Sequence, residues 1–145
     1  MPTPSEIPCA TISAYRATIY RIGAGSDAIC LRIGTHSKKL LRLYAASGHN
    51  CGLFISAFNP HSEVQSDEAN EAAHARLGTE LGAPTANVIE GIGVAPSAAD
   101  EPWEEKSFFA LGIALDAARE IGGRYRQNAI VWVGRDQVPQ LHLLR

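Results

Sequence analysis

The amino-acid sequence predicts a chain of the α+β or α/β class, with one mixed β-sheet of six or seven strands and three main helices packed on it. Three observations carry this expectation. Short runs rich in β-branched and aromatic residues recur along the chain, each of strand length and bounded by Gly, Pro or Asn. Between them lie segments whose apolar residues return at helical spacing, most cleanly at Ala114, Ala117, Ala118, Ile121 and Tyr125. The stretch from Ser107 to Val133 then reads strand, helix, strand, with the length of a parallel crossover.

Residues 1–8 carry three prolines and read as a flexible leader to a single globular unit over residues 9–145. Tyr15–Gly23 and Asp27–Gly34 form a predicted antiparallel hairpin around Gly23-Ala24-Gly25-Ser26. A helix follows over 37–47, with Ser37 as its N-cap and Gly48 as its terminator. Cys51–Phe58 is a continuous apolar run, as expected of a central strand covered on both faces. Pro60 lacks an N–H and keeps Asn59 out of the α region, so this strand stops at Phe58 or Asn59. Glu63–Leu81 reads as the longest helix, with Ser62 placed to cap it. Asn87–Ile92, Ser107–Ile113, Asn128–Val133 and Gln140–Leu144 complete the strands, the last as an edge, and a polar loop spans 96–105.

Composition narrows the function classes. The 145 residues are 46% hydrophobic and 19% charged, enough for a core that needs neither metal nor disulfide. A net charge of −2 and the absence of any long Lys/Arg cluster argue against a nucleic-acid partner bound through phosphates. No segment resembles a signal peptide or a membrane span, so no membrane association is expected and the cytoplasm is the predicted location. Cys9, Cys30 and Cys51 are scattered and odd in number, which fits a reducing compartment; the apolar runs around Cys30 and Cys51 predict buried thiols. The five histidines show no metal-ligand spacing, and neither glycine-rich turn continues into a phosphate-binding fingerprint. No metal or cofactor is therefore expected.

Several polar residues stand where a purely structural chain has no need of them. Asn70, His74, Leu77 and Leu81 share one helical stripe, so the amide and the imidazole turn toward the sheet with the leucines. Asn70 either braces the Asn59-Pro60 loop or lines a cleft at the end of the central strand. His74, deeper in the stripe, reads as a structural histidine. The Asn59-Pro60-His61-Ser62 turn occupies a strand end before a helix, a common place for ligands. Glu105 and Ser107 alternate onto one side of a strand entrance, behind Trp103, whose indole offers a stacking surface. Gln127-Asn128 forms a helix-to-strand turn. It shares an edge with Asn59 only if its strand runs antiparallel to Cys51–Phe58.

At these segments the chain resembles a bacterial family of unknown function. The shared pattern is a strand ending Ala-Phe-Asn-Pro-x-Ser, a downstream Asn, a Glu-x-Ser-Phe strand entrance and a closing Gln-Asn-Ala-Ile-Val-Trp. Here these are Ala57–Ser62, Asn70, Glu105–Phe108 and Gln127–Trp132. The resemblance implies a fold-level grouping and brings no activity, substrate or cofactor with it. Two functions follow from the residues themselves. One is a cleft for a small polar ligand, a nucleotide-like molecule or other metabolite, built from Asn59, Ser62, Asn70, Trp103, Ser107, Gln127 and Asn128, with Glu105 as the general acid or base. The other is a non-catalytic interaction or regulatory module, binding a protein partner or a second copy, in which the same motifs are loop braces.

Overall fold

The computed structural model describes residues 5–83, 85, 87–96 and 102–145. Its elements are α1 (Cys9–Ala17), β1 (Ile19–Ile22), β2 (Ile29–Leu31), α2 (Lys38–Ser47), β3 (Gly52–Ile55), α3 (Asp67–Leu81), β4 (Val88–Val94), β5 (Glu104–Leu111), α4 (Leu115–Arg124), β6 (Ala129–Val133) and β7 (Pro139–Leu143). The strands form one seven-stranded sheet in the order β2-β1-β4-β5-β3-β6-β7. The α+β class and the single sheet stand as expected.

The expected parallel crossover does not occur as a hydrogen-bonded pair. β5 and β6 do point the same way, but β3 lies between them and is antiparallel to both. All other neighbouring pairs are antiparallel as well, so the sheet is antiparallel where a mixed one was predicted. Every residue of β3 is buried, in keeping with its unbroken apolar run and central place.

Successive side chains of β3 divide between two cores. Phe54 joins Tyr20, Phe109, Val131 and Val133 on the face covered by α2 through Leu40 and Tyr44. Leu53 and Ile55 join Phe108, Ala110 and Ile130 on the face covered by α3 and α4. The sheet curls enough for Gly34, beyond β2, to donate its N–H to the Pro139 carbonyl of β7 at 2.9 Å. Gly78 lets α3 lie directly on the sheet, since a Cβ there would stand 2.9 Å from the Phe108 ring.

Local details both keep and revise the expectations. Ser37 caps α2 by accepting from the Leu40 N–H at 3.1 Å, and Gly48 ends it in the left-handed conformation. α3 begins later than predicted: Ser66, not Ser62, is its cap and accepts from the Ala69 N–H at 3.1 Å. A helix occupies Cys9–Ala17, part of which is predicted as strand, so the described residues hold four α-helices rather than three. Cys30 is exposed and Cys51 half-buried, against the expectation of buried thiols. On β2 only Ile29 and Leu31 face the core, and the residue between them must face out. Of the predicted leader, residues 1–4 lie outside the described residues, while Ile7 is buried. Positions 97–101 of the predicted polar loop also lie outside them.

Candidate functional site

Strand direction decides which turns meet. Because β5 and β6 are both antiparallel to β3, they begin at the edge where β3 ends. The turn after β3, the entrance of β5 and the turn before β6 therefore lie side by side. On the Phe54 face, alternation carries Ser56 along β3, and Ser107 and Glu105 along β5 from Phe109. Gly93 of β4 pairs with Glu105, and Tyr20 of β1 pairs with Gly93. Ala14, Tyr15 and Thr18 close the side from α1 and its C-cap, and Trp103 stands at the mouth. Together these residues bound a half-enclosed cleft of about 270 Å³.

Of the residues singled out from sequence, Asn59, Ser62, Trp103, Glu105, Ser107, Gln127 and Asn128 line this cleft. Asn70 does not. Its Oδ1 accepts from the Asn59 N–H at 2.9 Å and from Gln65 Nε2 at 2.7 Å, and its Nδ2 donates to Asn59 Oδ1 at 3.0 Å. Asn70 thus braces the turn from behind, holding Asn59 at φ 44° and allowing His61 and Ser62 to follow at 54° and 61°. The amide of Gln127 is also spent on backbone: its Nε2 donates to the carbonyls of Phe58 and Tyr125 at 3.2 and 3.3 Å. The neighbouring turns are joined again by the His61 N–H, which donates to the Arg126 carbonyl at 2.7 Å.

The groups left facing the cleft are hydroxyls and one carboxyl. Asn128 Nδ2 donates to the Tyr15 hydroxyl at 3.0 Å and to Ser62 Oγ at 2.8 Å, and those two oxygens are 2.7 Å apart. Ser107 Oγ donates to the Glu105 carbonyl at 3.1 Å, and Ser56 Oγ to the Lys106 carbonyl at 2.9 Å. Burial in the cleft pushes the Glu105 carboxyl up to about 7, with the Ser56 hydroxyl pulling the other way. A carboxyl with that pKa gains and loses a proton readily at neutral pH, the property a general acid or base requires.

Sequence reasoning missed the α1 and β1 wall. Tyr15, Thr18 and Tyr20 lie in a segment whose pattern predicts one strand, and Tyr20 donates its hydroxyl to the Tyr15 carbonyl at 2.6 Å. The signal was Pro8 followed by small residues, a weak helix start that buries no side chain of its own. Ser56 was readable, since it stands two residues after Phe54 and so shares its face. His74 lies on the opposite face, stacked on Phe108 with ring centroids 4.3 Å apart. Burial lowers its pKa, and its Nδ1 is buried without a hydrogen-bond partner. Among the described residues no cluster of three His, Cys, Asp or Glu could hold a metal, and no helix is long and apolar enough to cross a membrane.

Fold and site thus define an α+β protein with an acid-bearing cleft at one sheet edge. By its family model the chain belongs to the family described as protein of unknown function DUF3293, matched over residues 55–130, just over half the chain. The matched span runs from the end of β3 into β6, so it holds Asn59, Asn70, Glu105 and Asn128 but not the α1 and β1 wall. Comparison with curated proteins and with solved structures gave no match.

Proposed function

We propose that the cleft binds a small polar metabolite and that Glu105 exchanges a proton with it. The observation that carries this is the carboxyl itself: a half-buried acid, held near neutrality, facing a cavity rather than a counter-charge. Ser107 and the Tyr15–Ser62–Asn128 network orient the ligand, and the Trp103 indole gives it a flat surface at the mouth. A structural role explains Asn70 and Gln127 fully, but it offers no reason to desolvate a carboxyl. The same proposal places the protein in a reducing cytoplasm, where the exposed thiols of Cys9 and Cys30 stay free.

The test is a thermal-shift screen of wild type and Glu105→Gln against a panel of metabolites and nucleosides. At least one ligand should raise the melting temperature of wild type and leave that of Glu105→Gln unmoved. If every stabilising ligand acts equally on both proteins, Glu105 has no part in binding and the proposal is lost. A second function, pairing with a partner or a second copy, draws on the edge strand β7. Concentration-dependent mass in light scattering, abolished by a proline at Gln140, would favour it.

A further inference from the structure

The wall of the cleft also restricts the chemistry of what enters, an inference that rests on the binding role proposed above. Glu105 is the sole Asp, Glu, Lys, Arg or His among the described residues that line it. Arg145, whose guanidinium contacts Asn128, is already engaged: it donates to Asn128 Oδ1 at 2.9 Å and meets the Glu6 carboxylate at 3.5 Å. An anionic group in the cleft would therefore face a carboxylate in a low-dielectric space with no counter-charge, which is repulsive.

The hydrogen-bonding pattern points the same way. Around Glu105 the hydroxyl proton of Ser107 is spent on a backbone carbonyl, and that of Ser56 is shared between the Lys106 carbonyl and the Glu105 carboxyl, so what remains facing inward is oxygen lone pairs. The opposite wall keeps one donor. Asn128 uses both amide hydrogens on Tyr15 and Ser62, one hydroxyl proton lies between that pair, and the other remains to be given. Tyr20, Phe54 and Trp103 supply aromatic surface, favourable to a flat ring or a delocalised cation. A cleft of about 270 Å³ falls just short of the roughly 300–1,000 Å³ typical for drug-sized ligands.

We infer that the cleft takes a small planar nitrogen base that gives N–H donors to Glu105, of the amidine or amino-heterocycle type, and that it rejects phosphorylated nucleotides. The base lies against the aromatic wall with its N–H edge on Glu105; an amino-heterocycle also turns a ring acceptor toward the Tyr15–Ser62 pair. This narrows the nucleotide-like expectation to the base alone.

Binding of a cationic base should follow the ionisation of Glu105. Ser56 from β3 and Tyr20 from β1 lie next to it, and Tyr15 from α1 and the Trp103 indole line the same cleft, none of them cationic. Its neighbours Glu104 and Lys106 alternate to the other side, where Lys106 pairs with Glu71 at 2.8 Å.

The experiment is calorimetric titration of the full chain with benzamidine, adenine and AMP at pH 6 and pH 8. Benzamidine and adenine should bind and AMP should not. Benzamidine should bind about tenfold more tightly at pH 8 than at pH 6, because the ionised fraction of a group titrating near 7 changes by about that factor. Glu105→Gln, checked for its fold by circular dichroism, should lose at least tenfold in benzamidine affinity together with the pH dependence. Trp103→Ala, at an exposed position, should weaken both bases several-fold with the pH dependence kept. AMP binding as tightly as adenine, or base binding indifferent to Glu105→Gln, would overturn the inference. If the metabolite screen finds Glu105-dependent ligands but neither base binds, the ligand class is wrong and the binding role stands; if nothing binds in either experiment, both fall.

Discussion

Glu105 stands on β5 between two exposed charged residues, Glu104 and Lys106, yet its own side chain turns to the covered face by simple alternation. Burial without a cation makes its ionised form unfavourable, and this couples proton binding to folding. A carboxyl raised from 4.5 to about 7 favours the folded state below about pH 4.5; that contribution drains away between pH 4.5 and 7 and is absent above. The full shift corresponds to about 3 kcal/mol, since each pKa unit is worth about 1.4 kcal/mol. Glu105→Gln keeps the shape and never ionises. It should therefore exceed wild type by about 2–3 kcal/mol at pH 8 and match it near pH 4.5 in urea unfolding. A stability gap of the same size at both pH values would show that the carboxyl is not desolvated. The Glu105-x-Ser107 alternation was legible in the sequence because period-two patterning survives any sheet order. The stripe also turns Asn70 toward the Asn59-Pro60 loop, but the sequence leaves brace and cleft wall equally open, and only the contacts with Asn59 decide for the brace.

At the scale of the element, the turn from Asn59 to Gln65 is a strained loop held by side chains. Asn59, His61 and Ser62 all adopt left-handed backbone, which costs a non-glycine residue roughly 1–2 kcal/mol each, and the Asn59–Asn70 pair over-determines it. Asn70→Ala removes the acceptor of a half-buried N–H and the donor to Asn59 Oδ1, and should cost about 1–3 kcal/mol, read from chemical denaturation. Asn59→Gly and Asn59→Ala both lose the side-chain contacts, but glycine relieves the backbone. The alanine variant should be the less stable of the two by about 1 kcal/mol; equal stabilities would mean that φ 44° carries no strain. This loop also explains the misplaced start of α3. Ser62 and Ser66 are both competent cap residue types, but the turn holds Ser62 at φ 61°, whereas Ser66 has the extended backbone of a cap and is followed by Asp67 and Glu68 in the first turn. α1 was harder to read. None of its side chains is buried, so it shows no amphipathic stripe, and its Tyr15–Ala17 end runs straight into a strand.

Across the whole molecule, strand order is the feature least visible in sequence, because it depends on contacts between distant segments. β3 is inserted between β5 and β6, pairing Gly52 with both Leu111 and Val133. Nothing in the local pattern of Ser107–Val133 announces that a third strand will separate its two. The insertion brings the ends of β3, β5 and β6 together, and so makes the cleft; it also sets where the fold is least tolerant. A Cβ on Gly52 would stand 2.2 Å from the Phe109 ring tip, inside a core whose neighbours are fixed by strands on both sides. Gly123, near the end of α4, is exposed and a Cβ there would meet nothing within 4 Å. Gly52→Ala should therefore cost about 1–3 kcal/mol by overpacking, whereas Gly123→Ala should gain about 0.5–1 kcal/mol by favouring helix. In a Phe109→Leu background the shorter side chain vacates the clash, so the cost of Gly52→Ala should fall while the effect of Gly123→Ala stays unchanged. Equal behaviour of the two glycine substitutions in both backgrounds, measured by urea unfolding, would place the packing constraint somewhere other than the inserted strand.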